Sequence, residues 1–249
     1  MKMIFYIFGN LYGRLFGWSA LQHFHHALIN LSLHSLGYGN SYNESFTGED
    51  WFIKKVLAPT NPVTVIDIGA NVGNYSKKIL KETSASIFAV EPNTASYLKL
   101  RELPNRVTKL NLAISDYDGQ GELNFRTDYD ERATLDNRLK LRNSSSVKVS
   151  TLDTVIKNNK IRNIDFVKID TEGFEKEVIT GFGNLRPKFI QFEFNIDHLH
   201  RQITLLEISK LLPNYTLYRL LPHGWLKINP EKFLNNIFMF CNIVAVREE

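Results

Sequence analysis

The chain reads as an α/β protein: a mostly parallel sheet with helices on both faces, preceded by a helical extension. Three observations carry this. From Pro62 onward, apolar strand-length runs alternate with helix-length ones. A glycine-bearing turn follows the first of those strands, between Ile68 and Asn74. The last two strands are joined without a substantial helix, which requires antiparallel pairing at the end of the sheet.

Residues 1–45 are assigned to the extension and 46–249 to the main domain. Met3 to Phe8 is apolar, but Gly9, Asn10, Gly13 and Arg14 interrupt it, well short of the ~20 residues a membrane span needs. No small-residue cleavage site follows, so no signal peptide is expected. The aromatics Phe5, Tyr6, Phe8, Tyr12, Phe16 and Trp18, with Lys2 and Arg14, allow two readings. The arm is expected to pack on the domain; the alternative is that it rests on a membrane surface. The protein is expected in the cytoplasm, at most peripheral to a membrane.

Leu21, Phe24, Leu28 and Leu31 recur at helical spacing, predicting a helix over Ala20 to Leu36 that Gly37 and Gly39 end. His23 and His26 stand three apart in it, but no cysteine or acid nearby completes a ligand set, and an exposed helix face explains them. A short helix is predicted over Glu49 to Leu57, then a strand over Thr64 to Ile68, a helix over Asn74 to Thr83 and a strand over Ser86 to Val90. A helix over Thr94 to Leu103 and a third strand over Val107 to Ala113 follow. There the rhythm breaks: Glu122 to Phe125 and Val147 to Val149 read as short strands bracketing a polar excursion from Thr127 to Ser146. It resumes with Phe166 to Ile169, a helix from Glu175 to Gly181, Phe189 to Phe194, a helix from Gln202 to Leu211, Thr216 to Leu221 and Ile237 to Val246.

Composition removes several classes. Of 249 residues, 43% are hydrophobic and 22% charged, the balance of a folded globule large enough to need no disulfide or metal. The single cysteine, Cys241, excludes a disulfide-stapled fold. The net charge of +4 comes from 30 basic residues spread among 26 acids. The densest basic stretch (Arg138, Lys140, Arg142, Lys148) reads as a solvated face, so no nucleic-acid partner is expected.

The chemistry sits after the first strand, in Val65-Ile66-Asp67-Ile68-Gly69-Ala70-Asn71-Val72-Gly73-Asn74. This turn lies at the carboxyl edge of the sheet, where ligands of open α/β folds bind. Gly69 can turn the chain sharply, and Gly73 lets the helix start close to the strand or a ligand. Glu91 ends the next strand, where an acid can take both hydroxyls of a ribose. A nucleoside-bearing ligand is therefore expected. A dinucleotide would bring a pyrophosphate, which Asp67, two residues before the first glycine, would repel. A cationic sulfonium suits Asp67 better, and Asp170, Glu172 and Glu193 at later strand ends strengthen that bias; the alternative for Asp67 is that it caps or braces the glycine turn.

Four stretches make a resemblance specific: Gly48-Glu49, Asp67 to Gly73, Asn111-Leu112-Ala113-Ile114-Ser115-Asp116 with Gly119, and Lys168-Ile169-Asp170-Thr171-Glu172-Gly173-Phe174-Glu175 running into Gly181. The chain resembles the FkbM family of S-adenosylmethionine-dependent methyltransferases, roughly from Phe46 to Phe194. The resemblance implies the seven-stranded, Rossmann-like class I methyltransferase fold with an antiparallel last strand, and S-adenosyl-L-methionine as cofactor. It implies that Gly69, Ala70, Asn71 and Gly73 line the methionine and ribose portion, with Glu91 on the ribose hydroxyls. Ser115 and Asp116 would lie near the adenine, unless Asp116 only forms the turn before Asp118.

Methyl transfer is an in-line displacement, and a hydroxyl acceptor gains from a carboxylate that takes its proton. Asp170 and Glu172 are the first candidates, with Glu193 and His198 in reserve; the alternative for Glu172 is a helix N-terminal charge. His198 and His200 otherwise read as surface residues. Thr171-Glu172-Gly173 is not the prolyl-aromatic motif common in amine-methylating enzymes, which tilts the acceptor toward oxygen. Asp170, Glu193 and Asn195 could hold a divalent ion, but nothing in their spacing requires one, and no metal is assigned. The reading is O-methylation of a saccharide or small-molecule hydroxyl. A nicotinamide-dependent oxidoreductase and a non-catalytic S-adenosylmethionine-binding protein are its rivals.

Overall fold

The computed structural model describes residues 2–42, 44–127, 132–136, 138 and 141–248. Lys140 and much of the excursion's middle lie outside the described residues. In chain order the elements are α1 (Lys2–Phe16), α2 (Gln22–Ser35), α3 (Glu49–Phe52), β1 (Thr64–Ile68), α4 (Asn74–Glu82), β2 (Ser86–Val90), α5 (Thr94–Leu100), β3 (Val107–Leu110), β4 (Ala113–Ser115), β5 (Gly119–Phe125) and β6 (Asn143–Thr151). Then come α6 (Leu152–Asn159), β7 (Ile164–Ile169), α7 (Glu175–Thr180), β8 (Phe189–Phe194), α8 (Ile196–His200), α9 (Leu205–Lys210), β9 (Tyr215–Leu221), β10 (Gly224–Lys227) and β11 (Cys241–Arg247).

Eight strands make the main sheet, in the order β10-β9-β11-β8-β7-β1-β2-β3. The pairs from β8 through β7, β1 and β2 to β3 are all parallel. β11 inserts antiparallel between β8 and β9, the terminal antiparallel pairing that the missing crossover helix requires. All five residues of β1 are buried, as befits a strand covered on both faces. One apolar layer gathers Ile66, Ile68, Val167, Ile190 and Phe192 with α6, α7 and α9. The other packs Val65, Ile87, Phe166 and Phe189 under Phe52, Ile53, Leu57 and Ile79.

The structure differs from expectation in four places. The main sheet has eight strands rather than seven, because Gly224–Lys227 folds back on β9 instead of remaining a loop. The third strand ends at Leu110; Ala113–Ser115 leaves it to pair with β6 in a separate three-stranded sheet, β4-β6-β5. The helix expected over Gln202 to Leu211 starts only at Leu205, with Thr204 capping α9 through its side chain and Glu207 reaching back, and the separate short helix α8 precedes it. The N-terminal arm packs on the domain only at its root, through Leu33 and Tyr38; α1 and the outer face of α2 do not pack there. α1 runs unbroken through Gly9 and Gly13, and Tyr6, Phe8, Trp18 and Phe24 are exposed, Tyr6 by 71%. No helix among the described residues is long and apolar enough to cross a membrane.

Candidate active site

The parallel strands deliver their carboxyl ends to one rim, and a cavity of about 670 Å³ opens there. Its wall takes Gly69, Ala70 and Asn71 from the turn after β1, and Glu91 and Pro92 from the end of β2. Lys168, Asp170 and Glu172 come from β7 and the turn after it, Glu193 from β8 and Asn195 from the cap of α8. Gly39, Thr47 and Glu49 contribute from before β1, and Phe238 to Phe240 from before β11.

The first turn is shaped by close approach. Gly69 has φ +76°, and a Cβ there would lie 1.8 Å from the Asp170 carbonyl oxygen, so only glycine lets the ends of β1 and β7 meet. Gly69 and Ala70 donate their N–H groups to the Val90 carbonyl, at 2.9 and 3.0 Å, which ties the turn to β2. Gly73 lets the helix start in close packing, one of the two roles read from the sequence, and does not take the lining role that the resemblance implies. It starts α4 at φ +83°, and a Cβ would meet Leu103 at 2.8 Å.

Glu91 is the hub of this edge. Its Oε2 accepts from the Asn71 N–H and its Oε1 from the Asn93 N–H, both at 2.8 Å. Each oxygen keeps a further lone pair for a ligand hydroxyl. Burial outweighs those two backbone donors and pushes its pKa up to about 7. Asn93 caps α5, accepting from the N–H groups of Ala95 and Ser96.

Asp67 lies beneath the turn, fully buried, and does not line the cavity. Ser76 Oγ donates to its Oδ2 at 2.7 Å, and Lys168 Nζ stands 3.9 Å from its Oδ1. Lys168 also donates to Asp170 Oδ2 at 2.8 Å. Burial alone would lower the Lys168 pKa, but Asp170, Asp67 and Glu49 outweigh it and raise it. The same floor carries Tyr75 Oη donating to Gln191 Oε1 at 2.7 Å and Gln191 Nε2 donating to Glu49 Oε1 at 2.9 Å. Burial raises the pKa of both Asp67 and Glu49. Tyr75, Lys168 and Gln191 had no role in the sequence reading. The available signal was a polar side chain set within the apolar run of a buried-type strand, Lys168 in β7 and Gln191 in β8.

Glu172 sits at φ +51°, in a left-handed conformation that costs a non-glycine residue ~1–3 kcal/mol and tends to mark functional turns. Its carboxylate is 3.7 Å from Arg132 Nε, and Arg132 Nη2 pairs with Asp197 Oδ2 at 2.9 Å. Burial first and the Asp170 charge second push the Glu172 pKa well above the carboxylate range. Glu193 is pushed the same way by burial, then by Asp170 and Glu172. The structural task at the start of α7 falls to Glu175, not Glu172. Its Oε1 accepts from Thr171 N at 3.0 Å and Thr171 Oγ1 at 3.1 Å, and its Oε2 stands 3.0 Å from His198 Nε2. His198 is therefore no surface residue, as its place near a strand end suggested; it is fully buried and bolts α8 to the turn after β7.

Ser115 and Asp116 do not reach the cavity. β4 swings into the second sheet, where buried Ser115 donates to Asp116 Oδ1 at 3.2 Å. Leu112, Ala113 and Ile114 of the same segment form the wall instead. The turn that follows is built on Asp118, which accepts from Ser150 Oγ at 2.7 Å and Thr151 N at 2.9 Å.

The residues present suit a cationic nucleoside. Among the charged side chains on the wall, Glu49, Glu91, Asp170, Glu172 and Glu193 outnumber Lys78, Arg132 and Lys168. Asn71 Oδ1 is buried there without a hydrogen-bond partner, an acceptor left for a ligand donor. Among the described residues, no group of three or more His, Cys, Asp or Glu side chains is arranged to hold a metal ion.

The chain is similar to known proteins. Residues 67–218, more than half of the chain, match the Methyltransferase FkbM domain. The hexuronic acid methyltransferase AglP of Haloferax volcanii is 26% identical over 170 residues, 66% of this chain and 68% of that protein. The 2-O-methyltransferase NoeI of Sinorhizobium fredii is 25% identical over 194 residues, 69% of this chain and 79% of that protein. The solved plantazolicin methyltransferase BpumL in complex with SAH aligns with a TM-score of 0.46 at 12% identity, over 82% of this chain and 83% of that one. On the domain match, the chain belongs to the FkbM methyltransferase family.

Proposed function

We propose that this methyltransferase moves a methyl group from S-adenosyl-L-methionine to a hydroxyl of a saccharide. The observation that carries the proposal is the convergence of Glu91, Asp170, Glu172 and Glu193 on one cavity at the carboxyl rim. When bound, the donor supplies a methyl group activated on a sulfonium. Glu91 and the Asn71 side chain would hold its ribose and polar groups, and the acid-rich wall favours its charge. In this reading Glu172 takes the proton of the acceptor hydroxyl, and Asp170 and Glu193, on the same cavity wall, are the other candidates. The names of the two relatives, a hexuronic acid methyltransferase and a 2-O-methyltransferase, support a sugar hydroxyl as acceptor.

Titration calorimetry tests the donor: S-adenosylmethionine should bind and NAD should not, and tight NAD binding would overturn the assignment. A screen of sugars with labelled methyl donor, read by mass spectrometry, tests the acceptor. Glu91→Ala should weaken donor binding by about 1–3 kcal/mol through the lost charge-assisted contact. Thermal unfolding of the same variant shows how much of that loss is the turn loosening when the Asn71 and Asn93 N–H groups lose their acceptor. An unchanged dissociation constant would remove Glu91 from the site.

The exposed N-terminal arm supports a second element of this reading, a peripheral contact between the enzyme and a membrane surface.

A further inference from the structure

We propose that α1, α2 and the Phe233–Leu234 turn form one anionic-lipid docking face, and that the acceptor saccharide is presented from that bilayer on a lipid. The second half rests on the sugar O-methylation reading above.

The arm is amphipathic without being long. On α1, Ile7, Phe8, Leu11, Tyr12, Leu15 and Phe16 cover ~180° of the helix surface at ~100° per residue. Gly9, Asn10, Gly13 and Arg14 take the opposite side, and Tyr6 is the one aromatic among its described side chains. All these apolar residues are exposed, and on α2 Phe24, Leu28 and Leu31 extend the same character. At 15 residues α1 is about 22 Å long, too short for the ~30 Å hydrocarbon core but suited to lying at the interface. Charge decides between a bilayer and a protein partner. The sequence has no Asp or Glu before Glu44, although it holds 26 in all, so Lys2 and Arg14 act without any opposing carboxylate on this arm. Such a face matches anionic headgroups.

The arm is fixed to the body close to the cavity. His25 Nε2 lies 2.9 Å from the Phe16 carbonyl, and its Nδ1 3.3 Å from Tyr12 Oη, which joins the two helices. At the end of α2, buried Tyr38 donates its hydroxyl to the Leu234 carbonyl at 2.7 Å, and the Arg219 guanidinium lies 3.9 Å over its ring. Phe233 and Leu234 are thereby held beside the root of the arm, and Phe233 is 83% exposed. From both anchors the chain runs straight into the cavity wall. Gly39 follows Tyr38, and Phe238 is four residues past Leu234, at most about 14 Å of chain. An apolar face this close to the cavity would set the opening within reach of a headgroup sugar.

The test uses the intact chain, with Leu11→Glu combined with Leu15→Glu and, separately, Phe233→Glu; all three positions are exposed and outside the cavity wall. The intact chain should float with phosphatidylcholine vesicles containing phosphatidylglycerol, and at least tenfold less with pure phosphatidylcholine. The double variant should stay behind, and Phe233→Glu should bind more weakly. Equal flotation by all variants, or a dimer of the intact chain that the double variant dissolves without any vesicle binding, overturns the docking face. Methyl transfer to glucuronosyl diacylglycerol in those vesicles should fall at least tenfold in the double variant, while transfer to methyl glucuronoside in solution is unchanged. Equal rates on both acceptors, before and after substitution, overturn lipid presentation. Transfer to neither sugar strikes the saccharide reading instead, and flotation alone then decides the docking face.

Discussion

Lys168→Met should destabilise the folded chain by about 3–5 kcal/mol, the scale for removing one partner from a buried ion pair. Lys168 projects from β7 at the centre of the sheet, where its ammonium is nearly excluded from solvent and lies 5.1 Å over the Tyr75 ring. It is the counter-charge of buried Asp67, whose Oδ1 has no hydrogen bond of its own. Without it, Asp67 must stay charged and unpaired or take up a proton. For a chain of this length, that loss corresponds to a drop of ~6–20 °C in the midpoint of thermal unfolding. The sign with pH is fixed. Burial already raises the Asp67 pKa, and losing the cation raises it further. The folded variant therefore binds more protons than the unfolded chain, and its deficit shrinks as pH falls through the folded pKa toward ~3.9, the unfolded value. Adding Asp67→Asn should recover much of the loss at neutral pH. An unchanged midpoint in Lys168→Met would mean that the floor of the cavity is not held by this pair.

That pair shows where the sequence was legible. Alternation and the β1 turn are local patterns, and they located the parallel strands, the rim and Gly69, Asn71 and Glu91. The direction of a side chain at the foot of a turn is not a local pattern. Asp67 read either as an acid that orients a cation or as a brace of the glycine turn, and local sequence did not choose between them; β1 is covered on both faces and Asp67 ends under the turn with Ser76 and Lys168. Ser115 and Asp116 moved for a different reason. Their segment joins another sheet through pairing with residues more than thirty positions later, which no short window displays. The arm failed in the opposite sense: the expectation that apolar residues pack inside holds only if a partner surface exists, and the domain offers these residues none.

Glu172→Gln should lower turnover ~10²–10⁴-fold, the usual worth of a general base, while donor affinity holds. Glutamine keeps the volume and one acceptor oxygen beside Arg132 but cannot take a proton. Asp197 still pairs with Arg132 at 2.9 Å, so the local fold has a second tie. The pH profile separates a base from a merely structural acid. Burial and the neighbouring Asp170 charge raise the Glu172 pKa well above its ordinary value, so proton acceptance requires a higher pH than an exposed carboxylate would. The acid limb of kcat/KM in the intact enzyme should therefore lie above ~4.3, and it should vanish in Glu172→Gln. Glu193→Gln is the comparison. Glu193 is raised partly by the charge of Glu172, whereas Glu172 is raised by burial and by Asp170, so neutralising Glu193 should leave the acid limb where it is. If Glu193→Gln instead abolishes turnover while Glu172→Gln leaves both rate and profile intact, the proton leaves through the β8 edge, and the left-handed turn at Glu172 serves only to let Arg132 reach across to α8.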